Sequence, residues 1–178
     1  NMVASLACAA AHLKSGPCIV SYGDIAYHPK HLAALSRSDG EIAIVSDRQW
    51  WELWQERFVD PLQDAETFVA EADVLSDIGR RADSVDQIKG QYMGLLKFTP
   101  RGWRQVEGLL DQLAPAARDA LDMTSLLRAL LECGSTIKVT PVDGCWVEVD
   151  QPEDWQLYQQ RLADVDAGRQ PWRHDWRW

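Results

Sequence analysis

The sequence predicts an α/β fold built on a mixed, largely parallel sheet with an antiparallel portion. Short apolar runs rich in β-branched residues, typical of buried strands, alternate along the chain with amphipathic segments of helical period. The 178 residues are enough for one domain with a sizeable core. We find no internal repeat and no linker that would divide the chain.

The first half of the chain begins with a helical pattern and then alternates between the two kinds of element. Apolar residues recur on one face over residues 2–14, and the run Pro17-Cys18-Ile19-Val20 indicates a strand over 18–22. A proline near the first turn predicts a helix from Pro29 to Leu35. Further strands are predicted at 41–46, 67–70 and 74–78, with a helix at 50–58 and a polar turn at 71–73.

The middle of the second half shows the same alternation. Residues 83–87 are polar and indicate a loop, whereas 92–98 is a strongly apolar strand pattern. Leucine and valine at helical spacing predict a helix over 102–113. The next helix is expected to begin after an N-cap at Asp122 and to stop at Gly134.

The last elements are predicted to be a hairpin and a helix. Residues 136–142 and 145–149 have strand patterns, and the Asp143-Gly144 pair between them is a hairpin signal. Pro152 opens a final amphipathic helix.

Composition and charge exclude several classes of function. A net charge of −9 argues against a nucleic-acid partner, which requires a basic face. No apolar stretch approaches the roughly 20 residues of a membrane helix, and the start Asn1-Met2-Val3 lacks the basic leader of a signal peptide. The four cysteines are scattered without a C-x-x-C pair, which favours reduced thiols in a cytoplasm over zinc or disulfides.

The segment Ser21-Tyr22-Gly23-Asp24-Ile25 is the most informative part of the sequence. A buried strand ends there, and parallel α/β sheets bind ligands outside the carboxyl ends of their strands. Asp24 is therefore placed where a carboxylate can hold a divalent metal. The alternative is a turn or helix N-cap aspartate, because Pro29 opens a helix soon after.

A set of segments in a fixed order carries a resemblance to a known family. In chain order they are Asn1–Leu6, Ser21–Ile25, Ile44–Asp47 with Trp50 and Arg57, Asp60–Leu62, Asp64–Glu66, Ile78–Arg81, Gly90–Phe98, Asp122–Leu127 and Trp146–Asp150. Together they resemble the nucleotidyltransferase superfamily, and within it the branch of phosphocholine and phosphonate cytidylyltransferases. The resemblance reaches about Tyr158 and implies a Rossmann-like three-layer fold.

The resemblance also implies a division of the chain. Residues 1–167 look like the C-terminal portion of a nucleotidyltransferase-like domain. The family's first strand and Gly-rich phosphate loop are not matched, so a longer protein is expected. Such a fragment is expected either to pair with a copy of itself as a homo-oligomer or to be poorly active. Residues 168–178 form a Trp/Arg-rich tail that packs on its own domain or is disordered; the alternative is docking on another subunit.

The implied reaction is attack of a phosphate or phosphonate oxygen on the α-phosphorus of a nucleoside triphosphate. Mg²⁺ is the expected cofactor, because one or two carboxylates with phosphate oxygens suit its octahedral coordination. Asp24 and Asp150 are the candidate catalytic metal ligands, and Glu148 is a further ligand or an orienting residue on the same side of the strand. The alternative for Asp150 is an N-cap of the helix from Pro152.

Cations are needed to meet the anionic substrate. Arg80 and Arg81 follow a strand where related enzymes carry a substrate-contacting lysine, and Arg81 is preferred. Lys97 is a second candidate catalytic cation, because a charge in an apolar strand usually needs a partner. The alternative for all three is a solvated surface cation.

The remaining candidates would bind the acceptor. Trp50 and Trp54 share a helical face and, with Tyr92 or Trp146, could form an aromatic cage for a quaternary ammonium such as that of phosphocholine. Asp47 or Asp64 could add a complementary negative charge. The alternative is that these tryptophans are core residues. The other substrate-binding candidates are Tyr22, Gly23, Gln91 and Gly94.

Three hypotheses for function follow. The first is a Mg²⁺-dependent enzyme that transfers CMP from CTP to a small headgroup such as phosphocholine and releases pyrophosphate. The second changes the acceptor to a sugar 1-phosphate. The third is a non-catalytic module that binds a headgroup or a partner.

Overall fold

The structure is a computed structural model that describes residues 1–178. Helices α1–α8 cover Met2–Cys8, Ala10–Ser15, Pro29–Ser36, Trp50–Arg57, Pro100–Leu110, Pro115–Ala120, Met123–Glu132 and Pro152–Asp166. Strands β1–β8 cover Cys18–Ser21, Ile25–Tyr27, Ile42–Asp47, Glu66–Glu71, Val74–Arg81, Gln91–Phe98, Ile137–Val142 and Trp146–Glu148. Two 3₁₀ turns lie at Pro61–Gln63 and Val85–Gln87. No helix is both long and apolar enough to span a bilayer.

Six strands form one mixed sheet in the order β1-β6-β3-β7-β5-β4. Within it β3 and β7 are parallel, whereas β1–β6, β6–β3, β7–β5 and β5–β4 are antiparallel. The α/β class and the mixed sheet are confirmed. Neighbouring strands are mostly antiparallel rather than parallel, because β6 enters between β1 and β3 and runs against both.

The predicted hairpin around Asp143-Gly144 is wrong. Strand β7 has β3 and β5 as neighbours, so neither of its edges is open to β8. The chain leaves the sheet through Gly144 and Cys145, whose φ angles are +61° and +57°. Strand β8 then pairs antiparallel with β2, a strand that periodicity did not predict, and the two form a separate small sheet.

The other predicted elements are confirmed with shifted ends. The helix expected over 2–14 is divided at Ala9, whose φ and ψ of −89° and 8° separate α1 from α2. The turn between β4 and β5 has Ala72 and Asp73 at positive φ, as a tight two-residue hairpin requires. Helix α6 was not predicted.

The sheet and the helices share a single core of buried hydrophobic residues, and every residue of β3 is buried. The C-terminal tail packs on this same domain. Trp172 and Trp176 contact the ring of Tyr158, with centroids 5.6 Å and 6.2 Å away, and the backbone N–H of Cys145 donates to Arg173 O at 2.9 Å. The tail therefore binds the segment that leads into β8.

Candidate active site

The small sheet brings together the two predicted carboxylates. Ile25 lies opposite Glu148, and the backbone N–H of Val149 donates to Asp24 O at 2.9 Å. Asp24 and Asp150, 126 positions apart in sequence, thus sit at the same end of the β2–β8 pair, and both are exposed. No group of three His, Cys, Asp or Glu side chains is arranged to hold a metal by itself.

One arginine, Arg57, forms ion pairs with three carboxylates of this region. Arg57, in the last turn of α4, has a side chain that is 1% exposed. Its Nε and Nη2 donate to the two carboxylate oxygens of Asp154 at 2.9 Å and 3.1 Å. Nη1 donates to Glu148 Oε1 at 2.5 Å, and Nη2 donates to Asp150 Oδ2 at 2.6 Å. A fork of this kind is the geometry for which arginine is better suited than lysine.

The environment of these acids differs strongly from one to the next. Burial raises the pKa of Glu148 to about 7, although the Arg57 guanidinium favours its ionised form. Burial also opposes ionisation of Asp154, yet hydrogen bonds from Arg57 and from the backbone N–H groups of Asp150 and Gln151 lower its pKa. Asp154 is therefore the firm anchor of Arg57, and Asp150 keeps a more exposed carboxylate.

Tyr22 lies two residues before Asp24 in the strand-end segment. Burial first, and then the charges of Asp122, Asp24 and Glu66, raise the pKa of its hydroxyl to about 12. Its ring meets that of Tyr92 edge to face, with centroids 5.9 Å apart. Asp24 and Glu66 therefore both contribute to the electrostatic environment of this hydroxyl.

Gly94 has a structural role that differs from the predicted one. Its φ is +74°, and a Cβ there would lie 2.5 Å from Cγ and Cδ2 of Tyr22. The group that approaches this glycine closely is therefore Tyr22, not a substrate. Tyr92 is buried as well, whereas Gln91 lies opposite Asp47 at the end of β3 and is half-buried, and Gly23 is exposed.

The aromatic cage is not formed. Trp50, Trp54 and Trp146 are 3%, 0% and 0% exposed, so they pack in the core instead of facing a ligand. The cation over the Trp54 ring is the chain's own Arg57, whose Cζ lies 5.1 Å from the ring centroid. Periodicity placed Trp50 and Trp54 on one helical face correctly, but that face is turned inward.

One pocket of this region lies at the start of β4. It is an open cavity of about 570 Å³ lined by Asp60, Asp64, Glu66 and Arg81, together with Leu62, Gln63 and Ala65. Trp54 Nε1 donates to Asp64 Oδ2 at 2.9 Å and fixes that carboxylate at the rim. Arg80 is not among the lining residues, because it pairs with Asp77 and Glu132.

An open groove of about 720 Å³ runs along β1 to the strand-end segment. It is lined on one side by Ile19 to Asp24 and on the other by residues of α1, with Met123 of α7 between them. Asp24 therefore borders an accessible space large enough for a small ligand.

Lys97 lies apart from the other candidates. Its Nζ donates to Ser38 O at 2.6 Å and to Ser36 O at 3.4 Å, at and just after the C-terminal end of α3. It is paired in the sheet with Ile19 and Ala43, at the opposite end of β1 and β3 from Tyr22 and Asp47. The partner expected for a charge in this strand is thus a set of backbone carbonyls.

Two important residues had only weak signals in the sequence. Arg57 matched the family pattern but had no predicted role, and Asp47 was considered only as a possible charge near an aromatic cage. Asp47 is fully buried, and its carboxylate accepts from Gln49 N, Gly144 N and Trp146 Nε1. Their partners lie up to 99 positions away, so local patterns cannot reveal them.

Comparison with known proteins supports the resemblance. No family model matches the chain. It is 35% identical over 148 residues to a CTP:phosphoglutamine cytidylyltransferase from Campylobacter jejuni, a match that covers 78% of this chain and 57% of the relative. The chain thus spans little more than half the length of this curated relative.

Solved structures show the same fold. The inositol-1-phosphate CTP transferase from T. maritima superposes with a TM-score of 0.65 at 18% identity, over 94% of this chain and 63% of that one. A Bacillus anthracis protein assigned as a glucose-1-phosphate thymidylyltransferase gives a TM-score of 0.65 at 12% identity, over 97% and 63% of the two chains. The sequence match and the shared fold together support the resemblance of this chain to the nucleotidyltransferase superfamily.

Proposed function

We propose that the full-length protein is a cytidylyltransferase that transfers CMP from CTP to a small phosphorylated acceptor and releases pyrophosphate. The observation that carries this proposal is the meeting of Asp24 and Asp150 at one end of the β2–β8 pair, in a chain 35% identical to a cytidylyltransferase. The attacking phosphate is already anionic, so the site has to bring anions together more than it has to remove a proton. The four free cysteines favour a reducing cytoplasm as the setting.

Mg²⁺ is the proposed cofactor, and the residues present fit it. Asp24 and Asp150 offer two exposed carboxylates at neighbouring strand ends, and Oδ1 of Asp150 accepts no hydrogen bond within the chain. Two carboxylates are a usual protein contribution to Mg²⁺, with nucleotide phosphates and water as the other ligands. When bound, the ion would offset the charge of the reacting phosphates. Glu148, held by Arg57, would act as an orienting residue beside Asp150.

The acceptor is proposed to carry a positive charge as well as a phosphate. Arg81 is the cation that lines the pocket at the start of β4, and Asp60, Asp64 and Glu66 line the same pocket. A phosphate would pair with Arg81, whereas an ammonium would be attracted by the carboxylates. Phosphocholine and phosphorylated amino acids share this combination. With Trp50 and Trp54 buried, carboxylates rather than aromatic faces would recognise the cation.

The test is pyrophosphate release by the full-length protein with CTP, Mg²⁺ and a panel of acceptors. The panel contains phosphocholine, phosphoglutamine and a hexose 1-phosphate, and UTP or ATP in place of CTP tests the base. We expect release with a positively charged acceptor and a loss of at least 100-fold in Asp24→Asn. Release with the hexose phosphate alone would contradict the charged acceptor. No release with any acceptor, together with binding of a headgroup, would favour the non-catalytic module.

A further inference from the structure

Arg57 is buried in a way that a surface cation does not require. It lies at the end of α4 against the rings of Trp54 and Phe58, with its Cζ 5.1 Å and 4.8 Å from their centroids. A guanidinium removed from water is retained only when its hydrogen bonds are satisfied, and here Nε, Nη1 and Nη2 all donate to carboxylates. The packing fixes the direction in which this fork points.

Asp154 anchors the side chain of Arg57, and Arg57 in turn holds two other carboxylates, which we call the held groups. Asp154 is the anchor, since it takes two of the bonds and also accepts from the backbone N–H groups of Asp150 and Gln151. Glu148 and Asp150 are each held through one oxygen. The side chain of Asp150 is 45% exposed, so its second oxygen stays available on the side of solvent.

These contacts fix the end of β8 relative to Asp24. The backbone of Val149, between the two held carboxylates, donates to Asp24 O, and Tyr158 Oη donates to Glu148 O at 2.7 Å. We propose that Arg57 is a positioning residue for the Asp24–Asp150 pair: it holds Asp150 in place beside Asp24 so that both carboxylates can engage the metal–nucleotide complex. This inference rests on the proposed function.

The test compares Arg57→Lys with Arg161→Gln in the full-length protein. Lysine keeps the charge but donates from a single nitrogen, so it cannot reproduce the four hydrogen bonds that Arg57 makes from three nitrogens. Arg161 is the matched control, because its Nη2 pairs with Glu56 at 2.9 Å and joins the same two helices, α8 and α4, without touching Glu148 or Asp150. The probe is Mn²⁺ with CTP, followed by water-proton relaxation against a protein-free blank, in parallel with the Mg²⁺ dependence of pyrophosphate release.

We expect Arg57→Lys to weaken Mn²⁺–CTP binding by about 10-fold or more, as loss of the residues that orient metal ligands usually does. The Mg²⁺ concentration for half-maximal activity should rise in parallel, while KM for the acceptor stays unchanged. Arg161→Gln should bind Mn²⁺–CTP like the wild type. Wild-type metal binding in a folded Arg57→Lys protein would overturn the inference and leave the proposed function intact.

A replacement variant and one further result separate failure of this inference from failure of the proposed function. If circular dichroism shows that Arg57→Lys does not fold, Asp154→Asn takes its place, since it weakens the anchor of Arg57 and leaves the side chains of Glu148 and Asp150 unchanged. Weakened Mn²⁺–CTP binding in Asp154→Asn supports the inference, and wild-type binding overturns it. If the wild-type protein neither enhances relaxation nor releases pyrophosphate, the proposed function fails and this inference fails with it.

Discussion

The indole N–H of Trp146 donates a 2.9 Å hydrogen bond to Oδ2 of Asp47, and neither residue is exposed to solvent. The other oxygen of Asp47 accepts from the backbone N–H groups of Gln49 and Gly144, both at 2.8 Å. His174 of the tail lies against the same pair, with Nδ1 3.2 Å from Trp146 O. This aspartate therefore joins the end of β3 to the segment that enters β8.

Replacing this carboxylate should destabilise the fold. In Asp47→Asn an amide N–H₂ would face donors that now have an acceptor, and buried unsatisfied groups cost about 1–3 kcal/mol each. We expect the free energy of unfolding in urea to fall by about 2–4 kcal/mol on that basis. Asp39→Asn, at an exposed aspartate, is the control and should change it by under about 0.5 kcal/mol. Equal effects of the two substitutions would contradict the structural role of Asp47.

Gly94 should not accept a side chain. Gly94→Ala places a methyl group 2.5 Å from the Tyr22 ring at a φ of +74°, so we expect a loss of more than about 2 kcal/mol in unfolding free energy. Because Tyr22 is followed directly by Gly23 and Asp24, Mn²⁺–CTP binding should weaken too. Gly108→Ala, in α5 with nothing within 4 Å, should instead stabilise by about 0.5–1 kcal/mol. If Gly94→Ala leaves the free energy of unfolding unchanged, Tyr22 can move away from residue 94 without cost, which contradicts this prediction.

Arg81 and Arg80 offer a matched pair for the acceptor pocket. Arg81→Gln removes the cation from the cavity, so we expect KM for the phosphorylated acceptor to rise about 10-fold or more, in line with charged hydrogen bonds of about 1.5–3 kcal/mol. KM for CTP should not change. Arg80→Gln, which breaks only surface pairs with Asp77 and Glu132, should leave both constants unchanged. A similar rise of acceptor KM in the two variants would place the acceptor elsewhere.

The tail should contribute to stability through particular residues. Trp172 packs on Tyr158, so Trp172→Ala should lower the unfolding free energy by about 2–4 kcal/mol, somewhat less than a fully buried tryptophan. Trp178 is 86% exposed, and Trp178→Ala should cost less than about 0.5 kcal/mol. Thermal or urea unfolding separates these outcomes. If the two variants unfold alike, the tail does not pack in solution as it does in the structure.

The sequence by itself determined most of the elements and the places where two carboxylates end strands. Apolar periodicity, proline at helix starts and glycine at stops are local properties, so the strands at 42–47 and 91–98 and the helices at 123–132 and 152–166 could be predicted. Asp24 and Asp150 could be chosen for the same reason, since each follows a recognisable strand. Their metal-binding role stays a prediction.

Only the tertiary structure decided how these elements are paired and which polar groups they bury. The Asp143-Gly144 turn has a local hairpin signal, yet β7 is enclosed by β3 and β5, and β8 finds β2 instead. The sequence predicts that Trp54 faces a ligand, but the cation over its ring is Arg57. The carboxylate partners of Arg57 lie 91 to 97 positions away in the sequence. Such contacts depend on which surfaces remain free once the sheet has formed, and no window of local sequence contains that information.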